Sequence, residues 1–223
     1  MKKAVANVTG ILFDWDGTIV NSYQPMLRSM RYAYQKHLGI VFPRDNEEFR
    51  RVSPMRLAES SALYAGEHAA EVATSYIWYY ANEGYKSGNI FIEMREVLIE
   101  LRSRGYALGV VTNTSRQRMN ADVAYLQLDG MVDIIVTSED TAERKPHPAP
   151  LLKAAEKLQK APSELAYVGD YVGDILAAKA AGMLAIAALW GGIFLADTLL
   201  AEQPDYVTEQ PGELLDIFPQ RHG

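Results

Sequence analysis

The chain has no cysteine among its 223 residues, which excludes disulfides, thiolate nucleophiles and cysteine metal sites together. Long apolar runs are missing too. Stretches such as Met183 to Trp190 are far shorter than the ~20 residues needed to span a bilayer. The opening Met-Lys-Lys is not followed by the apolar segment and small-residue cleavage site of a secretory leader, so the expectation is a cytoplasmic protein that does not contact membranes. Lysine and arginine are outnumbered, giving a formal net charge of -6, and they are scattered along the chain. A nucleic-acid partner needs a concentrated basic footprint and is therefore not expected, whereas a small anion bound at a locally positive site is. Internal repeats and low-complexity segments are absent as well.

What is present is a change of pattern along the chain. Val8 to Phe13 is an apolar run that ends on Asp14 and an Asp16-Gly17 loop, as a buried strand does. From Tyr23 to about Tyr85 apolar and aromatic residues recur at helical spacing, punctuated by Pro25, Pro43 and Pro54, which predicts several helices and no strand. The aromatic run Tyr76 to Tyr80 reads as helix–helix packing. After Gly88 an alternation sets in. Helices are predicted over Phe91–Arg104, Ser115–Tyr125, Pro150–Leu158 and Ile175–Ala181. Strands are predicted over Ala107–Val111, Ile134–Val136, Leu165–Val168 and Leu184–Leu189, with a short edge strand at Asp205–Val207. Strands alternating with helices imply a mostly parallel sheet covered on both faces. The fold class expected is α/β: a Rossmann-like parallel-sheet core built from residues 1–20 and 89–223, with an all-helical cap domain inserted at 21–88.

In an open parallel sheet, ligands bind beyond the carboxyl ends of the strands. Asp14, Asp16, Gly17 and Thr18 follow the first predicted strand, and Thr112, Asn113, Thr114 and Ser115 the second. Ser138 to Asp140 follow the third, with Lys145 a few residues on, and Gly169, Asp170 and Asp174 follow the fourth. Carboxylates, hydroxyls and one cation thus collect on one rim. Phosphoryl transfer suits that set. Hydrolysis of a phosphate monoester needs up to ~10²¹-fold acceleration, of which general acid–base catalysis supplies only ~10²–10⁴-fold. The remainder falls to charge neutralisation, positioning and covalent catalysis. A carboxylate cannot approach a phosphate dianion unless cations flank both, so Mg2+ on oxygen ligands and Lys145 are expected partners. Each feature has a blander reading taken alone: Asp-Gly as a turn, Asp170 as a helix N-cap, Thr112 to Ser115 as a capping sequence, Lys145 as a surface lysine. Their coincidence at successive strand ends favours the chemical reading.

Asp14-Trp-Asp-Gly-Thr18, Thr112-Asn113, Lys145-Pro146 and Gly169-Asp170 with Asp174 resemble, in order, the four motifs of the haloacid dehalogenase superfamily, and the insert resembles that family's helical cap. Within the superfamily the chain is most similar to phosphoglycolate phosphatases and related small phosphatases, with pyrophosphatases and mutases nearby. The resemblance implies that Asp14 attacks phosphorus and forms an aspartyl-phosphate, and that Asp16 protonates the leaving oxygen and then activates water. It implies phosphate contacts from Thr112, Asn113, Gly17 and Thr18, charge neutralisation by Lys145, and magnesium held by Asp14, the Asp16 main-chain carbonyl, Asp170 and, through an outer shell, Asp174. Asp16 argues against dehalogenase and phosphonate-cleaving relatives, which lack it. The alternatives left open are a phosphosugar mutase, an inorganic pyrophosphatase, and a non-catalytic binding protein of the same fold. Asn21 and Tyr171 depart from residues frequent in the family. In the insert, Ser22 and Arg51 are the substrate-binding candidates, Arg50 and Arg56 being further arginines there, and the insert is expected to act as a lid hinged at 21–23 and 86–89. His147, between prolines, is expected to shape a loop. The expected partner is a small phosphorylated metabolite, and the expected assembly a monomer or homodimer.

Overall fold

The computed structural model describes residues 5–221. Strand β1 (Gly10–Phe13) leads through β2 (Val20–Asn21) to helices α1 (Tyr23–Leu38), α2 (Asn46–Val52), α3 (Leu57–Ala65) and α4 (Ala69–Asn82). The chain continues as β3 (Asn89–Ile90), α5 (Met94–Ser103), β4 (Ala107–Val111), α6 (Arg116–Leu126), β5 (Ile134–Val136), α7 (Ala149–Leu158) and β6 (Leu165–Gly169). It ends with α8 (Val172–Ala181), β7 (Leu184–Ala188), α9 (Ala196–Ala201), β8 (Tyr206–Thr208) and α10 (Leu214–Ile217). Two compact units result: one runs up to Asn21 and resumes at Ile90, and the other is Ser22–Asn89.

The first unit is built on a six-stranded sheet in the order β5-β4-β1-β6-β7-β8, with every pairing parallel. Counted along the chain, these strands are the third, second, first, fourth, fifth and sixth, the order of a Rossmann-like doubly wound fold. β1 lies centrally, and the order reverses between β1 and β6. The period of two along a strand sends alternate side chains to opposite faces. Ile11 and Phe13 join Leu108, Val110, Val168 and Ile186 beneath α5, α6 and α10. Leu12 joins Val111, Val136, Tyr167 and Ala187 beneath α7 and α8. Because both faces are covered, β1, β6 and β7 are buried along their whole length, and each buried Leu, Ile or Phe contributes ~1.5–3 kcal/mol of transfer free energy. The Leu165 side chain of β6 occupies the space over Gly10, where a Cβ would fall 2.7 Å from its Cδ2.

In the second unit, α1 packs on α4 and α3 on α4. Rings provide much of the contact: Tyr32 stacks on Tyr79 with centroids 4.5 Å apart, and Phe42 lies between Tyr34 and Tyr64. Tyr76 and Tyr80 are buried as the aromatic run suggested, but Ile77 and Trp78 between them are exposed. Gly39 ends α1 in the left-handed region, φ 69°, and donates its N–H to Gln35.

Several boundaries differ from the sequence reading. α5 begins at Met94, leaving Ile92 exposed. α8 begins at Val172 with Tyr171 as its N-cap, so Asp170 does not cap it. β7 gives way to a single 3-10 turn at Leu189. Helices α9 and α10 were not anticipated. No helix among the described residues is long and apolar enough to cross a membrane.

Candidate active site

Asp14 leaves the end of β1 at the reversal of strand order, its N–H bonded to the Val168 carbonyl at 2.9 Å. The next residues fold into a tight loop in which the Trp15 carbonyl accepts from the N–H groups of Ile19 at 3.1 Å and Val20 at 3.0 Å. Gly17 makes the loop possible. It sits at φ +79°, and a Cβ on it would fall 2.1 Å from Asp170 Oδ2. From β6, Asp170 accepts the Thr18 hydroxyl at 3.2 Å. Asp174, in the first turn of α8, accepts the Tyr171 N–H at 3.1 Å. A Cβ at Gly169 would meet Asp174 at 2.4 Å, so that glycine gives the carboxylate its space.

Lys145 reaches the same point from the loop after β5. Its Nζ lies 2.8 Å from Asp14 Oδ1 and 2.7 Å from Asp174 Oδ1, and it donates to the Tyr167 hydroxyl at 2.6 Å. That hydroxyl in turn donates to the Val111 carbonyl at 2.7 Å. Asn113 holds the lysine's backbone from both sides: its amide donates to the Lys145 carbonyl and accepts the Lys145 N–H, each at 3.1 Å. Thr112, buried at the end of β4, accepts the Thr114 N–H at 3.1 Å.

Asp14, Lys145, Asp170 and Asp174 are all buried. Burial pushes the Asp14 carboxyl up to about 7, with Lys145 opposing that rise and Asp174 adding to it. Asp170 is raised well above the carboxylate range, first by burial and then by the charges of Asp14 and Asp174. Burial alone would lower the Lys145 ammonium, but Asp14 and Asp174 outweigh it and raise it.

The donor set fits a hard divalent cation. Asp14, Asp170 and Asp174 each offer an oxygen, and the three lie within 4.8 Å of one another. Asp170 Oδ2 is buried without a hydrogen-bond partner, a costly state that a cation would relieve. One ammonium against three carboxylates also leaves the cluster short of positive charge.

The Asp16 side chain is outside that cluster. Thr114 Oγ1 donates to its Oδ2 at 2.7 Å, and Arg118 pairs with its Oδ1. Thr18 and Asn113, expected to contact substrate, spend their side chains on Asp170 and Lys145 respectively. Within the helical unit, Ser22 is buried with its hydroxyl on Met26 Sδ at 3.7 Å, and exposed Arg51 pairs with Glu47 at 3.1 Å. His147 shapes its loop by accepting the Ala149 N–H at 3.2 Å.

Sequence reasoning does not single out Arg118 and Tyr167. Arg118 precedes Asp122 by one helical turn, a spacing usually read as an exposed pair. Tyr167 sits inside an apolar strand. Trp190, in the turn after β7, packs against the core, and its indole N–H also supports the loop at the Thr18 carbonyl.

A parallel sheet with order reversal at β1, a DxD loop there, and a lysine among buried aspartates at neighbouring strand ends define a hydrolase of one particular superfamily. The chain belongs to the haloacid dehalogenase-like hydrolase family, whose model matches residues 11–188. It is 29% identical over 232 residues to a protein named pyrophosphatase PpaX from Bacillus mycoides, covering 97% of this chain and 99% of the relative. It is 30% identical over 223 residues to the pyrophosphatase PpaX of Bacillus velezensis, with 94% and 96% covered. Among solved structures, a haloacid dehalogenase-like family protein from Streptococcus pneumoniae superposes with a TM-score of 0.86 at 28% identity, covering 96% of this chain and 100% of that one. A Haemophilus somnus structure described as a predicted phosphoglycolate phosphatase gives 0.84 at 22% identity, with 96% and 99% covered, a likeness of fold alone.

Proposed function

We propose that the protein is a magnesium-dependent phosphatase that hydrolyses a small phosphorylated metabolite of the cytoplasm through an aspartyl-phosphate on Asp14. The observation that carries this reading is Lys145 lodged between Asp14 and Asp174, beside the unpartnered oxygen of Asp170. Such an arrangement keeps a carboxylate in place while offsetting the charge that would repel a phosphate.

Asp14 attacks phosphorus in line, forming an O–P bond as the bond to the leaving oxygen breaks. Asp16 gives its proton to that oxygen, and the dephosphorylated product departs. Asp16 then takes a proton from water as the water oxygen attacks the acyl phosphate, releasing inorganic phosphate and restoring Asp14. Lys145 neutralises charge on Asp14 and the transferring group. Thr112 and the main-chain N–H groups after it are the contacts assigned to phosphate oxygens near the N-terminus of α6. Asp14, Asp170 and Asp174, with the Asp16 carbonyl, would hold Mg2+, which when bound supplies the positive charge that draws in the phosphate and stabilises the transition state.

Phosphoglycolate is one candidate substrate and inorganic pyrophosphate the other. Pyrophosphate is favoured by the full-length relatives named pyrophosphatase. Phosphate release should be measured over phosphoglycolate, sugar phosphates and pyrophosphate, with and without Mg2+, beside Asp14→Asn. Mg2+-dependent turnover lost in the variant is the expected result. Activity surviving in Asp14→Asn would refute the nucleophile, and isomerised sugar phosphate without free phosphate would identify a mutase instead.

A further inference from the structure

Asp16 is held by a set of side chains that none of the four motifs contains. Its Oδ1 receives the Arg118 guanidinium, and its Oδ2 accepts the Thr114 hydroxyl at 2.7 Å. Behind the arginine lies Asp122, 3% exposed, with Oδ2 3.7 Å from Arg118 Nε. The same Asp122 oxygen accepts the indole N–H of Trp15 at 3.1 Å. The Arg118 N–H is bonded to the Ser115 hydroxyl at 3.3 Å, which fixes the residue in the first turn of α6. The chain of contacts closes on itself, because Trp15 and Asp16 are neighbours in the loop after β1.

The two oxygens of Asp16 therefore have different partners with different chemistry. A guanidinium only donates, so Oδ1 remains an acceptor whether or not the carboxyl carries a proton. A threonine hydroxyl both donates and accepts, so Oδ2 can be met there in either protonation state. We infer that Arg118, braced by Asp122, is the positioning residue of Asp16: it anchors Oδ1 so that Oδ2 is the oxygen that carries the proton to the leaving group. Lysine would restore the charge but not the planar fork that reaches Asp16 and Asp122 together.

This rests on the reading of Asp16 as the acid–base group, and the test separates the two. The value of kcat/KM reports steps up to departure of the leaving group. It is measured with whichever alkyl phosphate the wild-type enzyme turns over fastest, phosphoglycolate or a sugar phosphate, whose alkoxide needs a proton, and with p-nitrophenyl phosphate, whose leaving group does not. Arg118→Met and Asp16→Asn are compared with the wild-type enzyme, each in the presence of Mg2+. We expect Arg118→Met to lose about 30- to 100-fold on the alkyl phosphate, at or just below the low end of what a general acid contributes because Asp16 is displaced and not removed, and no more than about 3-fold on p-nitrophenyl phosphate. Arg118→Lys should recover part of the loss, and Asp122→Asn should show the same leaving-group dependence more weakly. If Arg118→Met and Arg118→Lys lose equally on both substrates, or on neither, while Asp16→Asn discriminates between them, the positioning role is overturned and the acid–base reading stands. If Asp16→Asn itself fails to discriminate, the acid–base reading falls and the inference falls with it.

Discussion

Trp190 donates its indole N–H to the carbonyl of Thr18 at 2.9 Å, tying the turn after β7 to the loop after β1 across most of the chain's length. Beside it, a Cβ on Gly191 would fall 2.4 Å from the Gly17 carbonyl and 2.9 Å from Asp170 Oδ2. The turn is thus moulded against the loop that carries Asp14. Trp190→Phe keeps most of the bulk and removes the donor, which should cost ~1 kcal/mol of stability and lower the melting temperature by ~2–4 °C. Gly191→Ala should reduce kcat further than its change in melting temperature would suggest, because it displaces the loop itself. Wild-type kcat in Gly191→Ala would show that the loop tolerates the shift.

Lys145 is the cation that pairs directly with both Asp14 and Asp174. Replacing it by methionine leaves those carboxylates buried without compensation, a change that typically costs ~3–5 kcal/mol. We expect Lys145→Met to abolish phosphate release and to lower the metal-free protein's stability in urea. Tyr167→Phe is subtler. It removes one acceptor from Lys145 and leaves the Val111 carbonyl without that donor, so about 1–3 kcal/mol of stability should be lost, with a smaller fall in activity than in Lys145→Met. Equal activity losses in the two variants would argue against the lysine as the operative group.

Gly17→Ala should be severe for two separate reasons. The residue occupies φ +79°, and the new methyl carbon would overlap the carboxylate of Asp170 at 2.1 Å. We expect loss of Mg2+-dependent activity and of any Mg2+-induced rise in melting temperature. Retention of both would mean that the loop can refold around the methyl group.

The buried cluster makes stability depend on pH with a definite sign. Burial raises Asp14 to about 7 in the folded, metal-free protein, whereas an unfolded aspartate titrates near ~4. Between those values the native state binds more protons than the unfolded state, so this group's contribution falls as pH rises through that window. A cation bound to the carboxylates offsets the loss. Melting temperatures measured with chelator and with Mg2+ should therefore differ little near pH 5 and more near pH 7.5. A larger effect of Mg2+ at the lower pH would contradict this account.

The sheet and the motif positions were legible in the chain because they depend on local pattern. Unbroken apolar runs mark strands buried on both faces, as in Leu184–Ala188, and polar residues at their carboxyl ends mark the rim. Short elements escaped: α9 has six residues and α10 four, too few to display a helical period. The helix start at Val172 was set two residues before Asp174 by the Tyr171 N–H that this carboxylate accepts, a capping contact that the apolar pattern from Ile175 onward does not record.

By itself, then, the sequence determined the α/β class and the placing of Asp14, Asp16, Lys145, Asp170 and Asp174 at or just beyond the carboxyl ends of strands. Only the tertiary structure decided what each of them touches. It bonded Thr18 to Asp170 and Asn113 to Lys145, and it brought Arg118 to Asp16 and Trp190 to Thr18 across 102 and 172 residues. Backbone periodicity is a local property that a single strand or helix displays alone. A hydrogen bond between distant side chains exists only once the parallel sheet has placed their elements side by side.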